Sequence, residues 1–216
     1  MDFTVAGDIR FLAHSDMLRL FGRAAARAGL PVHHSAGFNP HPQISLPLPR
    51  SVGVASLAER VIVGLDEPLP SDEVVRRMSA QMPDGITMTG GQALPGATSP
   101  VPVRVDYRVT AAADPPAVEQ RIEQLMAASE WPIERRSPKH RTGKTIDLRP
   151  YIETLVLAQA PLGEHSEPQT LPASVGLHMR LRVTPAGSAR PTEICNALGI
   201  QTGQIRLICR TEVEWQ

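Results

Sequence analysis

Apolar positions follow two periods along this chain, and prolines and glycines mark where one gives way to the other. Ile9-Arg10-Phe11-Leu12 reads as a short opening strand. Ser15 or Asp16 then caps a helix running to about Ala28. Leu18, Phe21, Ala25 and Ala28 fall on one face of it, while Arg19, Arg23 and Arg27 recur on another. Gly29 and Pro31 end it. Residues 32–56 hold too many prolines and glycines for a helix, so they are expected to be extended with turns, with a strand at 43–46. Residues 60–65 alternate as a strand, Pro70-Ser71-Asp72-Glu73 opens a helix ending near Met82, and residues 86–89 form a further strand.

After a proline-rich linker (94–102) the same order returns. Residues 104–111 alternate as a strand. Asp114 caps a helix from Pro115 to about Ala128, with Val118, Ile122, Leu125 and Met126 inward. Strands follow at 133–136 and 154–159 around a polar insertion, then at 177–183. A short helix (191–198) and a closing strand (205–215) complete the chain. The order β-α-β-β-α-β, read twice, predicts an α+β protein of tandem ferredoxin-like domains with antiparallel sheets. The first domain spans 1–95 and carries the Gly37-Phe38-Asn39-Pro40-His41-Pro42 loop. The second spans 101–216 and carries a basic insertion. A single larger mixed sheet with helices on one face fits the same elements.

Composition narrows the function classes. Apolar residues make up 42% and charged residues 20%, which fits a packed core rather than disorder. The 22 basic and 22 acidic side chains cancel, so any nucleic-acid site must be a local patch. Cys195 and Cys209 make no zinc or iron–sulfur spacing and are expected to be free thiols in a reducing cytosol. Asp2 and Asp8 sit where a signal peptide needs a basic flank and an apolar run, and no apolar stretch is long enough to cross a bilayer. A cytoplasmic location, without membrane association, is the expectation.

Two polar clusters stand out. In the first, His33, His34, Ser35, Asn39, His41 and Ser45 surround Gly37-Phe38. Pro40 and Pro42 stiffen this loop, which can therefore present His34, Ser35, Gly37, Phe38, Asn39 and His41 to a ligand at little ordering cost. The same stiffness suits a structural plug anchored by Phe38. His14 and Asp16, just before the first helix, could join His41 in acid–base chemistry, since histidine titrates near neutral pH. Adjacent histidines in an extended chain point apart, and no established metal-ligand spacing is present, so no metal site is assigned. The second cluster is basic: Arg135, Arg136, Lys139, His140, Arg141, Lys144 and Arg149, suited to phosphate or to solvent. Aromatics, at 4%, are too scarce for a base-stacking platform of several rings. No phosphate loop, dinucleotide fingerprint, nucleophile elbow or radical-cluster cysteine triad appears, and no cofactor is expected.

The stretches Arg10-Phe11-Leu12-Ala13-His14-Ser15-Asp16, Ala28-Gly29-Leu30-Pro31 and Ser35-Ala36-Gly37-Phe38-Asn39-Pro40-His41-Pro42, with Pro47-Leu48, Gly53 and Glu59, resemble the bacterial radical-SAM-linked domain family of unknown function. Ile146-Asp147-Leu148-Arg149 and Arg190-Pro191 resemble later motifs of that family. Ala13-His14-Ser15-Asp16 and His34-Ser35 stand where the family usually reads Ser-His-Leu-Asp and Tyr-Ser. The resemblance implies a radical-SAM enzyme as partner, fused or encoded nearby, and an RNA-metabolism context that makes tRNA or rRNA a candidate ligand. It implies no activity. Three functions follow: an RNA- or ribonucleoprotein-binding accessory module, holding phosphate through Arg19, Arg23, Arg27 and the 135–149 patch; a metal-independent ribonuclease-like enzyme using His14 and His41; and a protein-docking adaptor.

Overall fold

The computed structural model describes residues 1–94, 99–137, 140–158 and 174–216, without the side chains of 136–137 and 140–142. Among the described residues it is a mixed α/β structure with mainly antiparallel strand pairing and four α-helices. The chain divides into two compact units, one made of residues 1–102 and 210–216, the other of residues 103–209.

In the first unit, β1 (Asp2–Val5) lies between β3 (Val54–Arg60) and β5 (Ile86–Gly90), antiparallel to both. The opening strand is therefore not at Ile9–Leu12. Gly7–Phe11 is a 3-10 turn, and the strand lies upstream, where Phe3 and Val5 point into the core. Helix α1 (His14–Arg27) buries Met17, Phe21, Ala24 and Ala25, a stripe turned slightly from the expected one. Its N-cap is Ala13, without a side-chain cap bond, so neither Ser15 nor Asp16 caps it. Helix α2 (Ser71–Ser79) adds Val74 and Met78. Phe3 and Phe21 meet edge to face at 4.8 Å between ring centres, a geometry aromatic pairs prefer.

The expected strand at 43–46 is only β2 (Ile44–Ser45). It pairs with β4 (Ile62–Val63) in a small separate sheet, leaving the place beside β3 to the end of β12 (Ile205–Trp215). Gln216 and Val101 exchange backbone hydrogen bonds, which secure that C-terminal segment.

The second unit follows the ferredoxin-like order closely. β6 (Pro102–Ala112), α3 (Pro115–Ala127), β9 (Ile152–Ala158), β10 (Ser174–Thr184), α4 (Pro191–Ala197) and the start of β12 make the βαββαβ path, with strands in the order β9-β10-β6-β12. Val105, Val109, Ala111, Leu177, Met179 and Leu181 alternate inward and are buried with Val118, Leu125 and Ile194 of the helices. A hairpin of β7 (Pro132–Ser137) and β8 (His140–Asp147) fills the polar insertion. The two-residue β11 (Gly187–Ser188) pairs with the end of β10.

Candidate functional site: an exposed loop and the buried cluster of the first unit

The first polar cluster is a projecting loop. His34 and Pro42 pair across its base, Gln43 donates its backbone N–H to His33, and His33 and Gln43 bond Gly64. The Gln43 side chain lies where a side chain on Gly64 would stand, so a larger residue there would have to displace it. Above this stem the Ser35 N–H donates to the His41 carbonyl at 2.9 Å, and the His41 N–H donates to Ser35 Oγ at 3.0 Å. These reciprocal bonds close the loop. Gly37 at φ 126° takes a backbone angle that side-chain-bearing residues rarely adopt.

Every residue from His33 to Gln43 is exposed, and Phe38 at the tip has a relative exposure of 106%. Phe38 is therefore not an anchor in the core. A side chain held clear of the protein adds nothing to folding through burial, and it leaves an aromatic face open to a ligand. Ser35 is occupied in closing the loop. His34 Nδ1 lies 2.7 Å from the Val32 carbonyl, so it is a donor there and leaves Nε2 on the outer edge of the ring. His33 is tied to Asp66 at 2.5 Å. Asn39 and His41 are exposed on the same loop.

His14 and Asp16 go elsewhere. Asp16 accepts a 2.7 Å bond from Arg19 on the exposed side of α1. Arg23 is exposed one turn on, and Arg27 is bonded to Gln81. His14 lines a small cavity with Phe3, Leu12, Met17, Leu46, Leu48, Arg50 and Glu59. The loop stem meets α1 farther along, where Pro42 packs beside Gly22. From His14 to Gly22 the helix rises about 12 Å. His14 is thus grouped with Glu59 and Arg50, while His41 rides on the loop. Among the described residues no group of three or more His, Cys, Asp and Glu is placed to hold a metal ion.

Around that cavity the resembling motifs meet in an ionic cluster. Glu59, 6% exposed, accepts a 2.8 Å bond from Arg210, 1% exposed, which also donates to the Leu48 and Pro49 carbonyls. Arg50 donates to the carbonyls of Arg10, Ser51 and Val54, and Phe11 packs against Gly53. Burial pushes the Glu59 carboxyl above its ordinary range against the pull of Arg210, Ser56 and Arg50. Burial likewise lowers Arg50, opposed by Glu59. The cluster clamps residues 48–50 to β3 and β12. Glu59 is recorded in the sequence only by its place in a motif, and Arg210 lies 151 residues away, with nothing local to single it out.

Two arginines of the basic insertion are occupied within their own unit. Arg135 forms a two-pronged pair with Glu193 at 2.7 and 2.6 Å and also donates to the Ser188 carbonyl. Arg149 donates to the Ile152 carbonyl. Asp147 accepts from the backbone N–H groups of Trp131 and Arg149, and Leu148 between them is fully buried, so this motif anchors the hairpin base. Lys144 is exposed. The side chains of Arg136, His140 and Arg141 lie outside the description, as does Lys139 entirely.

A family model described as an uncharacterized protein conserved in bacteria (DUF2344) matches residues 1–188. No curated protein matches the chain. Among solved structures, a chain in the crystal structure of a Cbf5-Nop10-Gar1 complex is similar over 98% of this chain and 48% of its own, with a TM-score of 0.50 and 10% identity. The protein thus spans about half the length of that neighbour, and the likeness concerns the α+β fold alone. No helix among the described residues is long and apolar enough to cross a membrane.

Proposed function

The chain belongs to the DUF2344 family of conserved bacterial proteins, and from that premise we propose that it is an RNA- or ribonucleoprotein-binding accessory module for a radical-SAM modification enzyme. The observation that carries the reading is the solvent-held Phe38, on a loop closed by the Ser35–His41 bonds and flanked by His34, Asn39 and His41. One projecting ring can stack on an unpaired base, and polar groups beside it can bond the base edge. Arg19 and Arg23 on exposed α1 supply charge for phosphate, with Arg19 already oriented by Asp16. The enzyme partner comes from the resemblance of the 10–16 and 35–42 motifs.

Fluorescence-anisotropy titration with tRNA and rRNA fragments tests the reading. The wild type is expected to bind with affinity that falls as salt rises, and Phe38→Ala to bind about 10-fold more weakly, the effect of losing one stacked base. Absence of binding at low salt refutes it. Co-purification of the radical-SAM enzyme that survives nuclease, with no RNA affinity, would make the loop a protein-docking element instead. The ribonuclease-like reading needs His14 and His41 to act together, and their separate groupings give it no support.

A further inference from the structure

The sheet of the second unit has one face under its helices and one away from them. On β6 the buried Val105, Tyr107 and Val109 alternate with Arg104, Asp106 and Arg108, and on β10 the buried Leu177, Met179 and Leu181 alternate with His178, Arg180 and Arg182. The register sets Arg108 opposite His178, Asp106 opposite Arg180 and Arg104 opposite Arg182. β9 adds Glu153, and it adds Val156 opposite His178. Val156 is 46% exposed, so this face is open to solvent at that row.

The charges on this face are organised. Asp106 is shared by His178 at 2.8 Å and Arg180 at 3.0 Å. Glu153 is shared by Arg104 at 2.9 Å and Arg182 at 2.7 Å. Glu153 thus holds two guanidinium groups in place, and Asp106 holds Arg180 and the His178 ring. Four arginines face two carboxylates, and Arg108 is exposed with no ion pair among the described residues. Alternate residues along a strand stand about 7 Å apart and neighbouring strands about 5 Å apart, so the guanidinium groups form a lattice rather than a point. Pre-oriented, partly exposed guanidinium forks along a sheet face suit a chain of phosphates, each offering two acceptor oxygens.

We propose that this face, running from Arg108 at one end to Arg182 at the other, binds the phosphate backbone of RNA. The proposal rests on the RNA-binding reading above and adds a contact surface of charge type to the stacking loop. Chains threading such a surface are read by charge, so its signature is the salt dependence of binding rather than base preference.

The test is the same anisotropy titration, run across a salt series on the full chain with three proteins: wild type, Phe38→Ala, and Arg108→Gln/Arg182→Gln. The double variant keeps Arg104 on Glu153 and removes no ion pair of Arg108, so it is expected to fold; its melting curve checks this. Losing two phosphate contacts should reduce the slope of log K against log salt by about 1.4 and weaken binding roughly 10-fold at moderate salt. Phe38→Ala should weaken binding without changing the slope. A double variant with wild-type affinity and slope overturns the sheet-face proposal, and a loss in Phe38→Ala alone then leaves the loop reading standing. A loss in the double variant with none in Phe38→Ala supports the sheet face and removes the loop. A wild type that binds no RNA overturns both.

Discussion

The loop at 35–41 and the cluster around Glu59 both draw on motif residues, yet they face opposite environments. The loop spends its hydrogen bonds on closing itself and gives its largest side chain to water. The cluster takes two charged groups out of water, pairs them with each other and gives Arg210 the Leu48 and Pro49 carbonyls. A motif in a sequence therefore does not mean a contact with a ligand. Here one part of it presents and the other holds. Removing one member of a buried ion pair strands the other, whereas truncating an exposed ring strands nothing.

The sharpest way to break this contrast is at Arg210. Arg210→Ala leaves Glu59 buried without its ion-pair partner and should cost about 3–5 kcal/mol of stability. Chemical denaturation measures it, and a loss below 1 kcal/mol would mean that the cluster does not hold the fold. Arg135→Ala removes the two-pronged pair with Glu193 and should cost about 1.5–3 kcal/mol while leaving the salt dependence of RNA binding as it was. A changed salt slope in that variant would show that Arg135 serves phosphate instead.

Smaller effects sharpen the other side. Gly37→Ala forces a side chain onto a positive φ and should cost about 1 kcal/mol, with weaker RNA binding because the loop loses its preset shape. Equal affinity would mean that the shape of the tip is unimportant. The smallest effect is on pH. Glu59 is raised in the folded protein by burial, so the stability linked to it is complete below the unfolded carboxyl range and is lost as pH rises through the higher folded value. Glu59→Gln should flatten that decline, as followed by denaturation midpoints between weakly acid and neutral pH. A decline of the same slope in the variant would assign it to another group.

Much of the second unit was legible in the sequence because its signals are local. Pro115 at the first position of α3 and Pro191 at that of α4 mark those helices within a residue, and alternation marks β6 and β10 within three. The first unit hid more. β1 offers only Phe3 and Val5 as inward positions, too few to stand out, and its pairing with β3 and β5 is settled by residues far along the chain. The strand beside β3 comes from the other end of the sequence. The loop was legible as a stiff polar segment, but the direction of Phe38 was not: an apolar ring reads as core until the stem is seen to hold it outside. The arginines of the open sheet face look like ordinary alternation in the sequence, since only cross-strand register shows that they gather.

The most direct test of the central claim pairs two numbers on one variant. Phe38→Ala should unfold within about 0.5 kcal/mol of wild type, since it buries nothing in the fold, and should bind tRNA or rRNA fragments about 10-fold more weakly. Unchanged stability with lost affinity is the predicted result. Unchanged affinity, or lost affinity accompanied by a large loss of stability, would contradict the claim that the loop is held out of the fold in order to bind.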